Sequence, residues 1–136
     1  MLSKEQVQRL RKISAFILKQ PKRFNIKEGL VNSYEAVGQL EQPPCGTACC
    51  YAGAGYIIGK NLRNINKLYV QWRTVQEYSQ EFLGFGTDWE MRDRLFYEQN
   101  WPVFYQQAYT QSKSAKERAF VGAARIEHFI ATNGDE

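Results

Sequence analysis

The sequence predicts an all-α fold: a single compact domain over residues 1–136, with five or six helices around a central helix of small residues. A chain of 136 residues has the size of one ordinary domain. Ser or Thr followed three residues later by Glu or Gln is the capping-box pattern that begins a helix. Four such pairs occur: Ser3/Gln6, Thr74/Glu77, Thr87/Glu90 and Ser114/Glu117. No strand-like segment has a second one to pair with, which favours helices throughout.

The first helix is expected over about residues 4–20. Leu10, Ile13 and Ile17 share one face of it, and Pro21 ends it. Residues 22–44 are less regular, and their pattern allows one helical turn near residues 26–31. Residues 67–72 alternate like a strand, but a lone strand leaves its backbone groups unpaired. We therefore interpret them as an extended connector or as the first turn of the next helix.

The middle of the chain is expected to hold two short helices. The first begins at Thr74 and continues to about Leu83, with Gly84 at its C-terminal cap. The second begins at Thr87 and continues to about Tyr97.

Two further helices complete the prediction. Pro102 suits the first turn of a segment that continues to about Tyr109. The last helix begins at Ser114 and continues to about Thr132, where Asn133-Gly134 stops it. On this helix Phe120, Ala124, Glu127/His128 and Ala131 share one side.

All three cysteines, Cys45, Cys49 and Cys50, lie within six residues of one another, directly after Pro43-Pro44. Thr47 fits the cap of a helix that would cover residues 48–58. Glycine inside a helix is unfavourable, so Gly53 and Gly55 indicate a close approach by another helix or by a ligand. One interpretation is therefore a buried central helix, in which the thiols act as small apolar groups.

Three other interpretations of the cysteines stay open. Cys45, near the helix start, would gain thiolate character there and could serve a thiol-dependent enzyme or redox protein, assisted by His128. Cys50 is expected to be buried and inert.

A zinc site would need Cys45, Cys49, Cys50 and the single histidine, His128. Neighbouring Cys49 and Cys50 would point about 100° apart on a helix, and no C-x-x-C pattern is present, so no metal is expected. No cofactor is expected either. A disulfide from Cys45 is conceivable but does not suit a reducing compartment.

Charge and hydropathy bear on the compartment and the partners. No apolar segment resembles a signal peptide or a membrane span, so we expect a cytoplasmic protein with no membrane partner. Residues 1–30 carry a net charge of +6 and the remainder −2. A basic first helix could meet an acidic partner, an anionic surface or nucleic acid. The alternative is a solvated helix face, since no nucleic-acid motif accompanies it.

Nine aromatic residues fall between Phe82 and Tyr109, and among them Trp101 is a candidate ligand contact. At helical spacing such residues form a core or line a pocket for a planar ligand. No phosphate-binding glycine loop, nucleophile elbow or H-E-x-x-H pattern is present in the sequence.

The segment from Cys45 to Gly53 reads C-G-T-A-C-C-Y-A-G. It resembles the C-G-T-x-x-C-x-A-G motif of a family of small bacterial proteins of unknown function. The resemblance extends over most of the chain, from residues 17–24 before the motif to residues 124–130 after it. In that match Cys45 and Cys50 are the motif cysteines, Cys49 is additional, and Ala54 stands where the family has tryptophan.

Together these features predict a binding protein that holds a partner protein or small ligand near the cysteine helix. The ligand contacts would be Cys45, Thr47, Cys50, Trp101 and His128. The alternatives are a thiol-dependent enzyme that uses Cys45, and a weak nucleic-acid binder that uses the basic first helix.

Overall fold

The computed structural model describes residues 1–26, 49–62 and 72–136. Within these ranges the α-helices are α1 (Lys4–Lys19), α2 (Tyr51–Gly59), α3 (Trp72–Phe82), α4 (Trp89–Phe96), α5 (Val103–Gln111) and α6 (Ala115–Ala131). Two 3-10 turns cover Pro21–Arg23 and Glu98–Asn100. The described residues contain no β-strand, only an isolated bridge between Phe24 and Cys49. The all-α prediction is confirmed.

Two of the four predicted capping pairs begin helices. The Ser3 hydroxyl accepts a hydrogen bond from the Gln6 N–H at 3.1 Å, and the Gln6 side chain accepts one from the Ser3 N–H at 2.7 Å. The Ser114 hydroxyl accepts from the Glu117 N–H at 3.1 Å. The Glu117 carboxylate, however, accepts from the Lys113 N–H rather than from that of Ser114. Both helix starts are confirmed.

The predicted start of α3 at Thr74 is wrong. The helix already begins at Trp72, so Thr74 lies inside its first turn. Glu77 does not close a capping box there, because it forms an ion pair with Arg73 one turn earlier, at 2.9 Å. Of the strand-like segment 67–72, only Trp72 lies among the described residues.

The predicted cap of α4 is displaced by one residue. Asp88, not Thr87, is the N-cap, and its carboxylate accepts a hydrogen bond from the Met91 N–H at 2.9 Å. A carboxylate is the stronger acceptor at a helix N-terminus, where the backbone N–H groups carry partial positive charge.

Helix α2 lies at the centre of the core, as the sequence predicts. Seven of its nine residues are buried, and it packs against α3 and α1. A Cβ atom on Gly55 would lie 2.2 Å from the Ser79 hydroxyl of α3, so any side chain here would have to displace that hydroxyl. The steric need inferred for Gly55 is confirmed.

Helix α6 packs against α1 and α5. Its buried side is formed by Ala119, Gly122, Ala123, Arg125, Ile126 and Phe129. The side that carries Phe120 is therefore not the buried one, and 69% of the Phe120 surface is exposed. Among the described residues no helix is long and apolar enough to span a membrane.

Candidate functional site

Of the predicted site near the cysteine helix, Cys45 and Thr47 lie outside the described residues. Helix α2 begins at Tyr51 with Cys50 as its N-cap, so the predicted start at residue 48 and the predicted Thr47 cap are wrong. The cause is the bridge to Phe24. The Cys49 N–H donates to the Arg23 carbonyl at 2.6 Å, and the Cys49 carbonyl accepts from the Asn25 N–H at 3.0 Å. These bonds hold Cys49 extended and delay the helix.

Cys50, rather than Cys45, therefore holds the N-cap position of this helix. The N–H groups of Gly53 and Ala52 favour its thiolate, but burial outweighs them and raises the pKa of Cys50 to about 11. Burial also raises the pKa of Cys49 well above its usual range. Both cysteines are free thiols with at most 2% of their surface exposed. The prediction that Cys50 is buried is confirmed, and neither thiol has the features of a nucleophile.

Trp101 is buried among aromatic rings next to the start of α2. Its ring lies 5.8 Å from the ring of Tyr51 and 5.8 Å from that of Tyr109. Its indole N–H donates to the Leu95 carbonyl at 2.8 Å. The Tyr51 hydroxyl in turn donates to the Gly122 carbonyl at 2.6 Å. The polar atoms of both rings are thus satisfied within the core.

His128 lies at the edge of the same cluster. Its Nε2 atom is 2.9 Å from a carboxylate oxygen of Glu136, and its ring lies 5.1 Å from the ring of Tyr105. The guanidinium of Arg125 lies over the rings of both Tyr105 and Trp101, at about 6 Å. The structure therefore connects Trp101 and His128 through Arg125 and Tyr105. Cys50 directly precedes Tyr51, whose ring stacks on that of Trp101.

Arg125 at the middle of this cluster was not identified from the sequence. It is fully buried, and its Nη2 donates to the Arg94 carbonyl at the C-terminus of α4, at 3.1 Å. Its Nε and Nη1 atoms have no hydrogen-bond partner. Burial lowers the pKa of Arg125, while Tyr51, Tyr105 and Glu136 oppose that shift. The buried side of α6 otherwise carries small and apolar residues. The presence of one arginine at that helical spacing is the sequence signal that could have identified Arg125.

No metal site is present among the described residues, where no group of three or more His, Cys, Asp or Glu side chains could hold an ion. The four zinc ligands that the sequence allows include Cys45, which lies outside the described ranges. The remaining members of that set are Cys49, Cys50 and His128.

A second candidate site is an open groove between the C-terminal end of α1, the end of α5 and the start of α6. We call it the α1–α5–α6 groove. Its lining residues are Leu18, Pro21, Ala108, Gln111, Ser112, Lys116, Glu117, Ala119, Phe120 and Val121. It has a volume of about 460 Å³, within the range of ligand pockets. Leu18 and Phe120 are 49% and 69% exposed there. The sequence does not indicate this groove, because Leu18 and Pro21 lie far in the chain from the lining residues of α5 and α6.

The first helix, the candidate nucleic-acid contact, has two of its arginines engaged within the fold. Arg9 pairs with Glu5 and donates to the Phe82 carbonyl. Arg11 donates to both carboxylate oxygens of Glu127, at 3.0 and 3.1 Å. These contacts reduce the cationic surface that the helix presents.

Comparison of the chain with protein-family models, with curated proteins and with solved structures finds no match in any of the three.

Proposed function

We propose that the protein acts by binding, and that the α1–α5–α6 groove is its ligand site. The observation that supports this is the pair of exposed apolar side chains, Leu18 and Phe120, at a concave surface. Burying apolar surface contributes roughly 25 cal/mol per Å². A ligand that covers both side chains would therefore bind more tightly, because it buries apolar surface that is exposed in the free protein.

This proposal keeps the binding function predicted from the sequence but moves the site. Around the start of α2 the described contacts, Cys50 and Trp101, are buried and packed against other core groups. The groove is open and apolar, and it needs no rearrangement of the core to admit a ligand.

The described cysteines do not support the thiol-enzyme alternative. A nucleophilic cysteine is usually partly exposed and has a lowered pKa, whereas Cys49 and Cys50 are buried and have raised pKa values. That alternative now rests on Cys45 alone.

The test is binding of 8-anilinonaphthalene-1-sulfonate, an apolar anionic dye, followed by its fluorescence. Ala108→Trp places a large ring in the groove, while Thr110→Trp adds the same ring at an exposed position of α5 that does not line it. We expect the wild type and Thr110→Trp to bind the dye equally, and Ala108→Trp to bind about tenfold more weakly, a loss of about 1.4 kcal/mol. Circular dichroism checks that both variants are folded. Equal dye affinity for all three proteins would refute the proposal.

A further inference from the structure

We infer that the occupant of the α1–α5–α6 groove is an acidic amphipathic helix of a partner protein. This inference rests on the proposed function, because it assigns an occupant to the same groove.

Charge at the rim of the groove points to an acidic occupant. Lys116 lines the groove, Lys19 and Lys22 directly follow the lining residues Leu18 and Pro21, and all three lysines are exposed. Within the described part of the chain none of these lysines forms an ion pair. Their charges are therefore available to carboxylates on a ligand.

One carboxylate, that of Glu117, also belongs to the lining. It accepts a hydrogen bond from the Lys113 N–H at 2.6 Å at the start of α6. The hydrogen bond leaves its negative charge in place, but this one carboxylate is outnumbered by the three lysines, Lys19, Lys22 and Lys116. The net charge around the groove is positive, which disfavours a second copy of this chain because the same lysines would face one another.

The walls of the groove favour a helix over an extended peptide. The lining is mainly apolar, and the Ser112 hydroxyl already donates to the Ala108 carbonyl at 2.8 Å. An extended peptide would bury backbone N–H and C=O groups without partners, whereas a helix satisfies its own. An apolar stripe at positions i, i+3, i+4 and i+7 is the usual way for a helix to fill such a groove.

The apolar floor also argues against nucleic acid as the occupant. Phosphates would be met by the lysines, but Leu18 and Phe120 would face the charged backbone without a gain in apolar burial. An amphipathic helix uses both parts of the surface, since its leucines can cover the floor and its flanking carboxylates can reach the rim.

The experiment compares two synthetic helical peptides of about 18 residues, which form about five turns. Both carry the same leucine stripe. One has glutamates beside the stripe and the other has lysines. Binding to the full chain is measured by fluorescence anisotropy at about 0.15 M salt, where exposed charges are partly screened. We expect the acidic peptide to bind about tenfold more tightly than the basic one.

Two variants test the rim. Lys22→Glu with Lys116→Glu should abolish or reverse the preference for the acidic peptide. Lys4→Glu with Lys60→Glu makes the same change in net charge away from the groove and should leave the preference intact. If both double variants lose it equally, net charge rather than the groove determines binding and the inference is wrong.

The outcomes separate this inference from the proposed function. Dye binding that Ala108→Trp weakens, together with no binding of either peptide, would retain the groove as a ligand site and overturn the helical partner. Equal affinity for the two peptides would overturn the acidic partner. Binding to anionic lipid vesicles through Lys22 and Lys116, without peptide binding, would replace the partner helix by a membrane surface and overturn the inference.

Discussion

Replacement of Gly122 by alanine is expected to destabilise the protein by over-packing the contact of α6 with the end of α1. A Cβ atom on Gly122 would lie 2.6 and 2.8 Å from two ring carbons of Phe24 and 3.1 Å from Cδ1 of Ile17. Ordinary contacts between carbon atoms lie at about 3.5–4.0 Å, so the neighbours must move by roughly 1 Å.

Neither side of this contact has room to move. The Phe24 ring is held between Tyr51, at 5.3 Å, and Tyr109, at 6.1 Å. The Gly122 carbonyl accepts the buried hydrogen bond of the Tyr51 hydroxyl, which fixes α6 against α2.

The magnitude follows from two opposing effects. Over-packing a core costs typically about 1–3 kcal/mol, and alanine gains up to about 1 kcal/mol over glycine in a helix. Because Phe24 is confined, we expect a net loss of about 1–2 kcal/mol in the free energy of unfolding. At about 4 °C per kcal/mol for a domain of this size, the melting temperature should fall by about 4–8 °C.

Urea denaturation followed by circular dichroism measures this loss. Thr110→Ala is the control, since Thr110 is exposed on α5 and the change affects helix propensity alone; it should stay within about 0.5 kcal/mol of the wild type. A Gly122→Ala protein as stable as the wild type would refute the close packing of α6 on Phe24.

Three further predictions concern the cluster around α2 and the helix caps. Burial raises the pKa of Cys50 to about 11, so the stability that its neutral thiol contributes is fully present below about pH 8.5 and is lost as the pH rises toward 11, by up to about 1.4 kcal/mol per pH unit. Urea unfolding at several pH values measures this loss, and the stability of Cys50→Ala should depend less on pH. Equal pH dependence of the two proteins would contradict the prediction. Arg125→Met should keep the free energy of unfolding within about 1 kcal/mol of the wild type, because it removes a buried charge with two unpartnered nitrogens. Arg125→Ala should lose about 3 kcal/mol through the cavity that it creates. A large loss in both variants would show that the charge itself is stabilising. Ser114→Ala should cost about 1 kcal/mol by removing the α6 cap, and thermal unfolding unchanged from the wild type would contradict that.

The features predicted correctly from the sequence are those set by neighbouring residues. The caps at Ser3 and Ser114 depend on a hydroxyl and the N–H three residues later, so the local pattern suffices. The turn after α3 is similar, because Gly84 takes the positive φ of 72° that ends this helix.

The features that were missed depend on contacts between distant segments. Cys49 is kept out of α2 by backbone bonds to residues 23–25, which no pattern within residues 45–59 could indicate. Arg125 is buried because its guanidinium reaches the end of α4 and three aromatic rings. The groove likewise needs Leu18 and Phe120 to be neighbours, although they are a hundred residues apart.

The amide chemical shifts of the ¹⁵N-labelled protein show directly whether a ligand binds in the α1–α5–α6 groove. The acidic helical peptide is titrated, and the same titration is repeated with the naphthalene dye. We expect the amide shifts to concentrate at Leu18, Ala108, Phe120 and Val121, and the amides of Cys50 and its neighbours to stay unmoved. Shifts centred on the start of α2, or spread evenly over the surface, would contradict it.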